Sequence, residues 1–153
     1  MTINPVFSII TVTLNNLSGL RKTYDSILSQ NFYDYEWLVV DGNSKDATLS
    51  FLKSTHAQYI SEQDHGIYDA MNKGLDRATG DYIIFMNAGD CFAEKDILST
   101  IKKHIEDKYS DFLYGDSFEN FNNKVILKKS ALHSKIKNGM FTHHQSMIYK
   151  KDV

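Results

Sequence analysis

The sequence contains few of the residues that cross-link or interrupt a chain. Of its 153 residues, one is cysteine (Cys91), one is proline and eight are glycine. A lone cysteine excludes an intrachain disulfide and a zinc site built from several thiolates, so we expect it to serve packing. No stretch of about 18 apolar residues is present, which argues against a membrane-spanning helix. The 42% hydrophobic and 24% charged residues indicate one globular domain.

Two phosphate-binding signatures are also missing. The sequence has neither the GxGxxG pattern of dinucleotide-binding folds nor the GxxxxGK[ST] pattern of a P-loop. Its first residues, MTINPVFSIITV, lack the basic lead and the cleavage site of a secretory signal. We therefore expect a cytoplasmic protein in which a phosphorylated ligand, if one binds, is held by something other than a glycine-rich loop.

The charges are divided unevenly along the chain. Residues 1–120 hold 10 Lys and Arg against 18 Asp and Glu, a net charge of −8, whereas residues 121–153 hold 7 against 1, a net charge of +6. A basic segment of this kind suits phosphates, an anionic membrane surface or the acidic part of the same domain. The sequence leaves these three partners open.

Short apolar runs alternate with helical patterns over the first 114 residues. The patterns predict strands at 7–12, 36–40, 58–61, 81–86 and 111–114, and helices at 18–30, 46–53, 67–78 and 95–107. Two further strands are predicted at 125–127 and 146–149. Alternating strands and helices predict an α/β fold, with a mostly parallel sheet and helices on both faces.

Polar residues follow the successive strands of this predicted sheet. In open parallel sheets ligands bind beyond the carboxyl ends of the strands, so these residues are the candidate site. They are Thr11, Thr13 and Asn15 after the first strand, Asp41 after the second, Glu62 and Asp64 after the third, Asn87 and Asp90 after the fourth, and Asp116 after the fifth. Each alone is more often a helix cap or a turn residue, but their recurrence favours a binding edge.

Two carboxylates in this set suit different tasks. Asp90 could hold a divalent cation, Mg or Mn, because such sites often combine one or two protein carboxylates with phosphate oxygens. Asp41 would suit hydrogen bonds from a base N–H or a ribose hydroxyl. Ser18 and Asp46 are instead expected to cap helices. On a strand, the adjacent His143 and His144 would point in opposite directions, so at most one of them faces a site.

Three segments together resemble a known family: SIITVTLNN, VVDGNSKDAT and SEQDHGIYDAMNKGLDRATGDYIIFMNAGD. They look like those of a family 2 glycosyltransferase with the GT-A fold, over roughly residues 6–120, with a weaker match at THHQSMIYK. The resemblance implies an enzyme that passes a sugar from a nucleotide-sugar, commonly a UDP-sugar, to an acceptor hydroxyl with inversion. Relatives with this third segment are typical of bacterial polysaccharide assembly: lipopolysaccharide, capsule or exopolysaccharide.

The resemblance also implies roles for individual residues. The segment from Thr11 through Thr13 to Asn15 would line the nucleotide, Asp41 would bind the base and Asp64 would lie close to the nucleotide. Asp90 matches the metal-ligand position of the family's D-x-D motif, here Asn87-Ala88-Gly89-Asp90, in which Asn87 and Gly89 replace carboxylates. Asn87 could instead contact the ribose or the donor sugar. Asp69 and Asn72 lie three residues apart on one helix face and would support the rim beside the donor sugar.

The resemblance leaves the catalytic base unassigned. In the family this carboxylate follows the His-Gln region, and Val153 is only eight residues beyond Gln145. Asp116 is the remaining acidic candidate. We therefore expect residues 1–120 to form the donor-binding part and residues 121–153 to begin a basic acceptor-side region of a C-terminally shortened transferase.

The expected partners are a nucleotide-sugar donor and a saccharide or lipid-linked saccharide acceptor. We expect no nucleic-acid partner. The lysines of the basic segment suggest peripheral association with the inner face of the cytoplasmic membrane. Two alternatives stay open: a non-catalytic nucleotide-sugar-binding module, and a sugar nucleotidyltransferase. The second is disfavoured, since no glycine-rich loop with a basic residue precedes the sheet.

Overall fold

A central sheet of six strands organises the molecule. The structure is a computed structural model that describes residues 4–122, 124–138, 140 and 142–152. The strands are β1 (Phe7–Thr13), β2 (Tyr35–Asp41), β3 (Gln58–Ser61), β4 (Tyr82–Phe85), β5 (Phe112–Tyr114), β6 (Ser117–Phe121), β7 (Lys124–Lys128) and β8 (Met147–Lys150). The helices are α1 (Leu17–Leu28), α2 (Thr48–Leu52), α3 (Ile67–Arg77) and α4 (Ile97–Lys108), with 3₁₀ helices at His133–Asn138 and His144–Ser146.

The strand order of the six-stranded sheet is β3-β2-β1-β4-β8-β5. Strands β3, β2, β1 and β4 are mutually parallel, while β8 runs antiparallel to both β4 and β5. Because β8 reverses direction between them, β5 points the same way as β4. The carboxyl ends of β1 to β5 therefore lie along one edge of the sheet, and β8 begins there. The predicted mostly parallel α/β sheet is confirmed.

Helices cover both faces of this sheet, as the alternating pattern predicts. On one face, Leu20 and Ile27 of α1, Leu52 of α2 and Leu98 of α4 pack on a core that includes Phe7. On the other face, α3 packs on β1 and β2. Its Gly74 allows this close approach, since a Cβ there would lie 2.4 Å from Cγ2 of Ile10.

Three details of the sequence prediction are wrong. Helix α1 is capped by Asn16 rather than Ser18, because the Asn16 side chain accepts a hydrogen bond from the Gly19 N–H at 3.0 Å. The helical pattern over 67–78 predicts one buried apolar face for α3, but Ile67 and Leu75 on that face are exposed. Strand β6 was not predicted, because its sequence SFENF alternates with polar residues and its partner is β7 rather than the main sheet.

Among the described residues, no helix combines the length and the apolar character needed to cross a bilayer.

Candidate functional site

The polar residues predicted from the sequence gather at the carboxyl edge of the main sheet. Thr13 ends β1 and lies in register with Asp41 at the end of β2. Asn87 and Asp90 follow β4, and Asp116 follows β5. The parallel topology thus brings together residues that are up to about 100 positions apart in the sequence.

Thr11 and Thr13 occupy different environments although they lie on the same face of β1. Thr11 is fully buried, and its Oγ1 accepts a hydrogen bond of 3.0 Å from Nε1 of Trp37. The Thr11 side chain therefore lies in the core, and a part for Thr11 in lining the nucleotide stays a prediction. Thr13 is 6% exposed and lies at the end of the strand, where its Oγ1 has no hydrogen-bond partner among the described residues.

The Asp41 carboxylate lies inside the protein and is saturated with hydrogen bonds. It accepts from the N–H and the hydroxyl of Ser44, and from the hydroxyl of Ser61 at 2.6 Å. Asp41 is fully buried. A ligand base would reach this carboxylate only after one of these serine hydroxyls moved aside, so Asp41 as seen here organises the loop after β2.

Asn15 ties the loops after β1 and β2 together. Its N–H donates to Oγ of Ser44 at 2.7 Å, and its Oδ1 accepts from the N–H of Lys45 at 2.7 Å. Asn15 adopts the left-handed conformation (φ 50°), which asparagine tolerates better than most residues. The side chain is exposed at the rim, but its oxygen is occupied by the neighbouring loop.

Asp64 lies against the end of β2. A Cβ on Gly42 would come within 2.5 Å of Oδ2 of Asp64, so a side chain at position 42 would push this carboxylate aside. The other carboxylate oxygen accepts a hydrogen bond of 3.0 Å from the Gly66 N–H. Asp64 thus lies at the rim next to Gly42, which follows β2.

Asp69 and Asn72 lie on α3, farther along the same region. Asp69 accepts a hydrogen bond from the His65 N–H at 3.0 Å and forms an ion pair with Lys73 at 3.3 Å. The hydrogen bond from His65, helped by Lys73, holds the pKa of the Asp69 carboxyl below its ordinary value. These contacts show Asp69 stabilising the first turn of α3, and Asn72 is exposed.

The Asn87–Asp90 turn is fixed by two residues of the α1 region. The Asn16 side chain donates to the carbonyl of Ala88 at 3.0 Å, and Oγ1 of Thr23 lies 2.9 Å from the Gly89 N–H and 2.8 Å from the carbonyl of Asp90. Gly89 has a φ of 112°, a conformation that favours glycine. Neither Asn16 nor Thr23 was singled out from the sequence, because their role depends on a segment more than 60 residues away.

Two oxygens of this turn matter for a cation. Oδ2 of Asp90 accepts a hydrogen bond from the Asn87 N–H at 3.1 Å, which orients the carboxylate over the turn. Oδ1 of Asn87 is buried and has no partner among the described residues. The structure shows no cluster of three or more His, Cys, Asp or Glu within its described part that could hold a metal by itself. The turn therefore fits Mg²⁺ or Mn²⁺ only if a ligand supplies further oxygens.

His144 is a further candidate residue at this edge, which the sequence only suggested. It lies in the 3₁₀ helix that leads into β8, next to β4 in the sheet, and its Nε2 is buried without a partner among the described residues. His143 is exposed. The only signal in the sequence was the adjacent pair, of which one at most could face a site.

The Asp116 carboxylate is held by the chain that follows β7. It accepts hydrogen bonds from the N–H and the hydroxyl of Ser130 at 2.8 and 3.0 Å. These hydrogen bonds lower the pKa of Asp116 below its ordinary value. Asp116 thus joins the chain after β7 to the turn after β5, and its role as a catalytic base stays a prediction.

Comparison with known proteins agrees with this architecture. In structure, the chain is similar to TarS of S. aureus (residues 1–349), with a TM-score of 0.78 at 23% identity, covering 95% of this chain and 47% of that one. It is also similar to the mannosyltransferase PcManGT of Pyrobaculum calidifontis, solved with GDP-Man and Mn²⁺, with a TM-score of 0.65 at 25% identity, covering 74% of this chain and 36% of that one. These likenesses show the GT-A fold.

In sequence, the chain is 41% identical over 120 residues to a PGL/p-HBAD biosynthesis glycosyltransferase of Mycobacterium bovis, a match that covers 73% of this chain and 46% of the relative. It is 37% identical over 103 residues to an uncharacterized glycosyltransferase of Mycobacterium tuberculosis, covering 65% and 39%. The chain thus spans about half the length of these relatives or less. Residues 8–152 match the family described as Glycosyl transferase family 2, and the chain belongs to that family.

Proposed function

We propose that this chain binds a nucleotide-sugar, a UDP-sugar, and forms the donor side of an inverting glycosyltransferase of bacterial polysaccharide biosynthesis. In this proposal residues 1–120 bind the donor, and residues 121–153 begin the acceptor side. The acceptor is a hydroxyl of a saccharide or lipid-linked saccharide. The protein acts in the cytoplasm, at the inner face of the membrane when the acceptor is lipid-linked.

One observation carries the proposal. Five buried side-chain atoms lack a hydrogen-bond partner among the described residues, and three of them, Oγ1 of Thr13, Oδ1 of Asn87 and Nε2 of His144, lie at the same edge of three neighbouring strands, β1, β4 and β8. A buried polar atom without a partner costs about 1–3 kcal/mol, so a protein rarely keeps several together without a ligand to satisfy them. The hydroxyls and phosphate oxygens of a nucleotide-sugar are suitable partners.

The relatives support the choice of ligand. TarS has been solved with UDP and with UDP-GlcNAc, and PcManGT with GDP-Man and Mn²⁺. In our proposal, a divalent cation between Asp90 and the diphosphate would offset the negative charge that develops on the leaving group. The chain's own contribution is the turn: Asn16 and Thr23 fix its backbone, and the Asn87 N–H orients the Asp90 carboxylate. We assign no catalytic base among the described residues.

Calorimetry of UDP binding, with and without Mn²⁺, tests the site. We expect Asp90→Asn to weaken binding in Mn²⁺ by about ten-fold and to remove most of the Mn²⁺ dependence, because the carboxylate is a charged ligand. Asp76→Asn, on the exposed surface of α3, is the matched control and should bind like the wild type. Equal affinity for UDP in the wild type and in Asp90→Asn, with Mn²⁺ present, would contradict the metal assignment.

Thr13→Val and Thr11→Val provide a second matched pair. Removing the unpartnered Thr13 hydroxyl should leave stability nearly unchanged but weaken UDP or UDP-sugar binding about five-fold, the loss expected for one hydrogen bond. Removing the Thr11 hydroxyl should lower the free energy of unfolding by about 1–2 kcal/mol, because it leaves the buried Trp37 N–H unpaired, and should spare binding. The reverse result would place the ligand elsewhere.

A further inference from the structure

The β6–β7 hairpin carries an apolar face that nothing in the described structure covers. Residues directly opposite each other in the two strands share a face, which places Phe118 with Leu127 and Asn120 with Val125. Phe118 is 60% exposed, Val125 69% and Leu127 45%. Among the described residues, the two strands contact mainly each other. The hairpin therefore presents an uncharged, mostly apolar surface to its surroundings.

Lysines lie at both ends of β7, where the alternation of the strand places Lys124 and Lys128 on the face opposite Val125 and Leu127. Lys124 and Lys128 begin and end β7, and Lys129 follows it; all three are exposed. Lys128 is paired with Glu119 on the opposite face of the hairpin at 3.2 Å, and Glu119 is the one acidic residue of the two strands. Residues 117–153, which include the whole hairpin, hold 7 Lys against 2 Asp and Glu, a net charge of +5, whereas residues 1–116 hold 10 Lys and Arg against 17 Asp and Glu, a net charge of −7.

The hairpin is attached at the edge of the sheet where the candidate site lies. It begins two residues after Gly115, which follows the carboxyl end of β5, and the hydrogen bonds of Asp116 to Ser130 join its two ends. The attachment point is therefore fixed, although the strands themselves do not pack on the core. A surface that held the hairpin would therefore lie near the carboxyl edge of the sheet.

Charge distinguishes the possible occupants of this face. Lysines on the exposed strand oppose edge-to-edge pairing with a second, equally basic hairpin. An anionic lipid surface attracts the lysines, offers an apolar interior to Phe118, Val125 and Leu127, and repels the acidic remainder of the chain. Of these two occupants, the anionic lipid surface is the one that both covers the apolar side chains and attracts the lysines.

We propose that the β6–β7 hairpin docks this protein on an anionic membrane, with Phe118, Val125 and Leu127 at the level of the acyl chains and Lys124 and Lys129 at the lipid phosphates. The docked hairpin holds the carboxyl edge of the sheet near the bilayer, because its base is attached at that edge. This position extends the proposed function, on which it rests, because it brings the donor site close to a lipid-linked acceptor. The docking itself requires no nucleotide.

Co-sedimentation with vesicles tests the docking. The full chain is mixed with vesicles of phosphatidylcholine alone, or of equal parts phosphatidylcholine and phosphatidylglycerol. We expect binding to the anionic vesicles only, weakened about five-fold for each lysine replaced by glutamate in Lys124→Glu and Lys129→Glu. The pair Phe118→Ser and Leu127→Ser should weaken it about ten-fold, because less apolar surface enters the bilayer.

Matched controls carry the same substitutions on the body of the molecule. Lys22→Glu with Lys53→Glu replaces two exposed lysines, and Tyr33→Ser with Leu28→Ser replaces two exposed apolar residues. These variants should bind anionic vesicles like the wild type. Equal binding to both vesicle types, or equal losses in the controls and the hairpin variants, would overturn the proposal.

Two further measurements distinguish membrane docking from the proposed donor site and from self-association of the chain. UDP binding by the hairpin variants should equal that of the wild type, so a failure of the donor site and a failure of the membrane site give different results. Sedimentation velocity detects the alternative occupant, a second copy. A concentration-dependent dimer that is lost in Phe118→Ser with Leu127→Ser, together with no vesicle binding, would overturn membrane docking in favour of self-association.

Discussion

The six-stranded sheet and the β6–β7 hairpin are both built from short strands, but they bury their side chains very differently. All seven residues of β1 are buried, whereas all five of β7 are exposed. The sheet is covered by helices on both faces, while the hairpin depends on its own cross-strand pairs. The comparison shows that apolar residues in a strand are buried only when another element of the structure covers them. It also separates a region whose side chains are covered from one whose apolar side chains are exposed.

A matched pair of phenylalanines sharpens this comparison most. Phe7 is fully buried and contacts Phe32 and Tyr82, whereas Phe118 is 60% exposed. We expect Phe7→Ala to lower the free energy of unfolding by about 3–5 kcal/mol, because it leaves a cavity in the core. Phe118→Ala should change it by less than about 0.5 kcal/mol. Urea denaturation measures both, and similar losses would show that the hairpin packs on the core after all.

A pair of glycines gives the next largest effect. Gly74 of α3 faces Ile10 at a distance that leaves no room for a Cβ, while no atom lies within 4 Å of the Cβ position of Gly115 near the base of the hairpin. Gly74→Ala should cost about 1–2 kcal/mol, since overpacking outweighs the gain in helix propensity. Gly115→Ala should be nearly neutral. A thermal midpoint unchanged in Gly74→Ala would mean that α3 sits farther from β1 than the structure shows.

Two glutamates give the smallest and most pH-dependent contrast. Burial by itself raises the pKa of Glu36, but hydrogen bonds from Ser8, Thr79 and Gly80 outweigh it and lower the pKa below its ordinary value of 4.5. A lowered pKa adds stability that is present above 4.5 and is lost as the pH falls through the lower, folded value. Glu36→Gln should therefore cost about 1 kcal/mol at neutral pH, and this cost should shrink in acid.

Glu119→Gln is the control for this experiment. Glu119 pairs with Lys128 on the exposed hairpin, where an ion pair contributes little. The stability of Glu119→Gln should match that of the wild type at every pH. A difference between Glu36→Gln and the wild type that grows as the pH falls would contradict the assigned role of Glu36.

The order and type of the main elements were predictable because they follow from local patterns. Apolar runs and helical periodicity predicted strands β1 to β5, α1 to α4 and the strands at β7 and β8, with ends correct to within about two residues. Strand β6 could not be predicted in this way, since it is not buried and has no apolar run. The cap of α1 was missed because Asn16 and Ser18 are both good capping residues and only the backbone geometry distinguishes them.

The candidate site was predictable in location but not in detail. A parallel topology places the residues after each strand at one edge, so Asn87, Asp90 and Asp64 could be assigned to it from the sequence. The different environments of Thr11 and Thr13 could not, because they depend on Trp37, which reaches one threonine and not the other. His144 was equally hidden, since its burial depends on strands that are distant in the sequence.

The sequence by itself determined the α/β class, the family and the edge of the sheet that carries the polar residues, because these depend on local periodicity and on motif spacing. The tertiary structure decided that Asp41 is enclosed by serines, that Asp116 is held by Ser130, and that three polar atoms at the edge lack partners among the described residues. It also decided that the apolar side chains of the basic hairpin are exposed within the described part of the chain. The physical reason is that burial and hydrogen-bond satisfaction are set by neighbours in space, and most of those neighbours are far apart in the sequence.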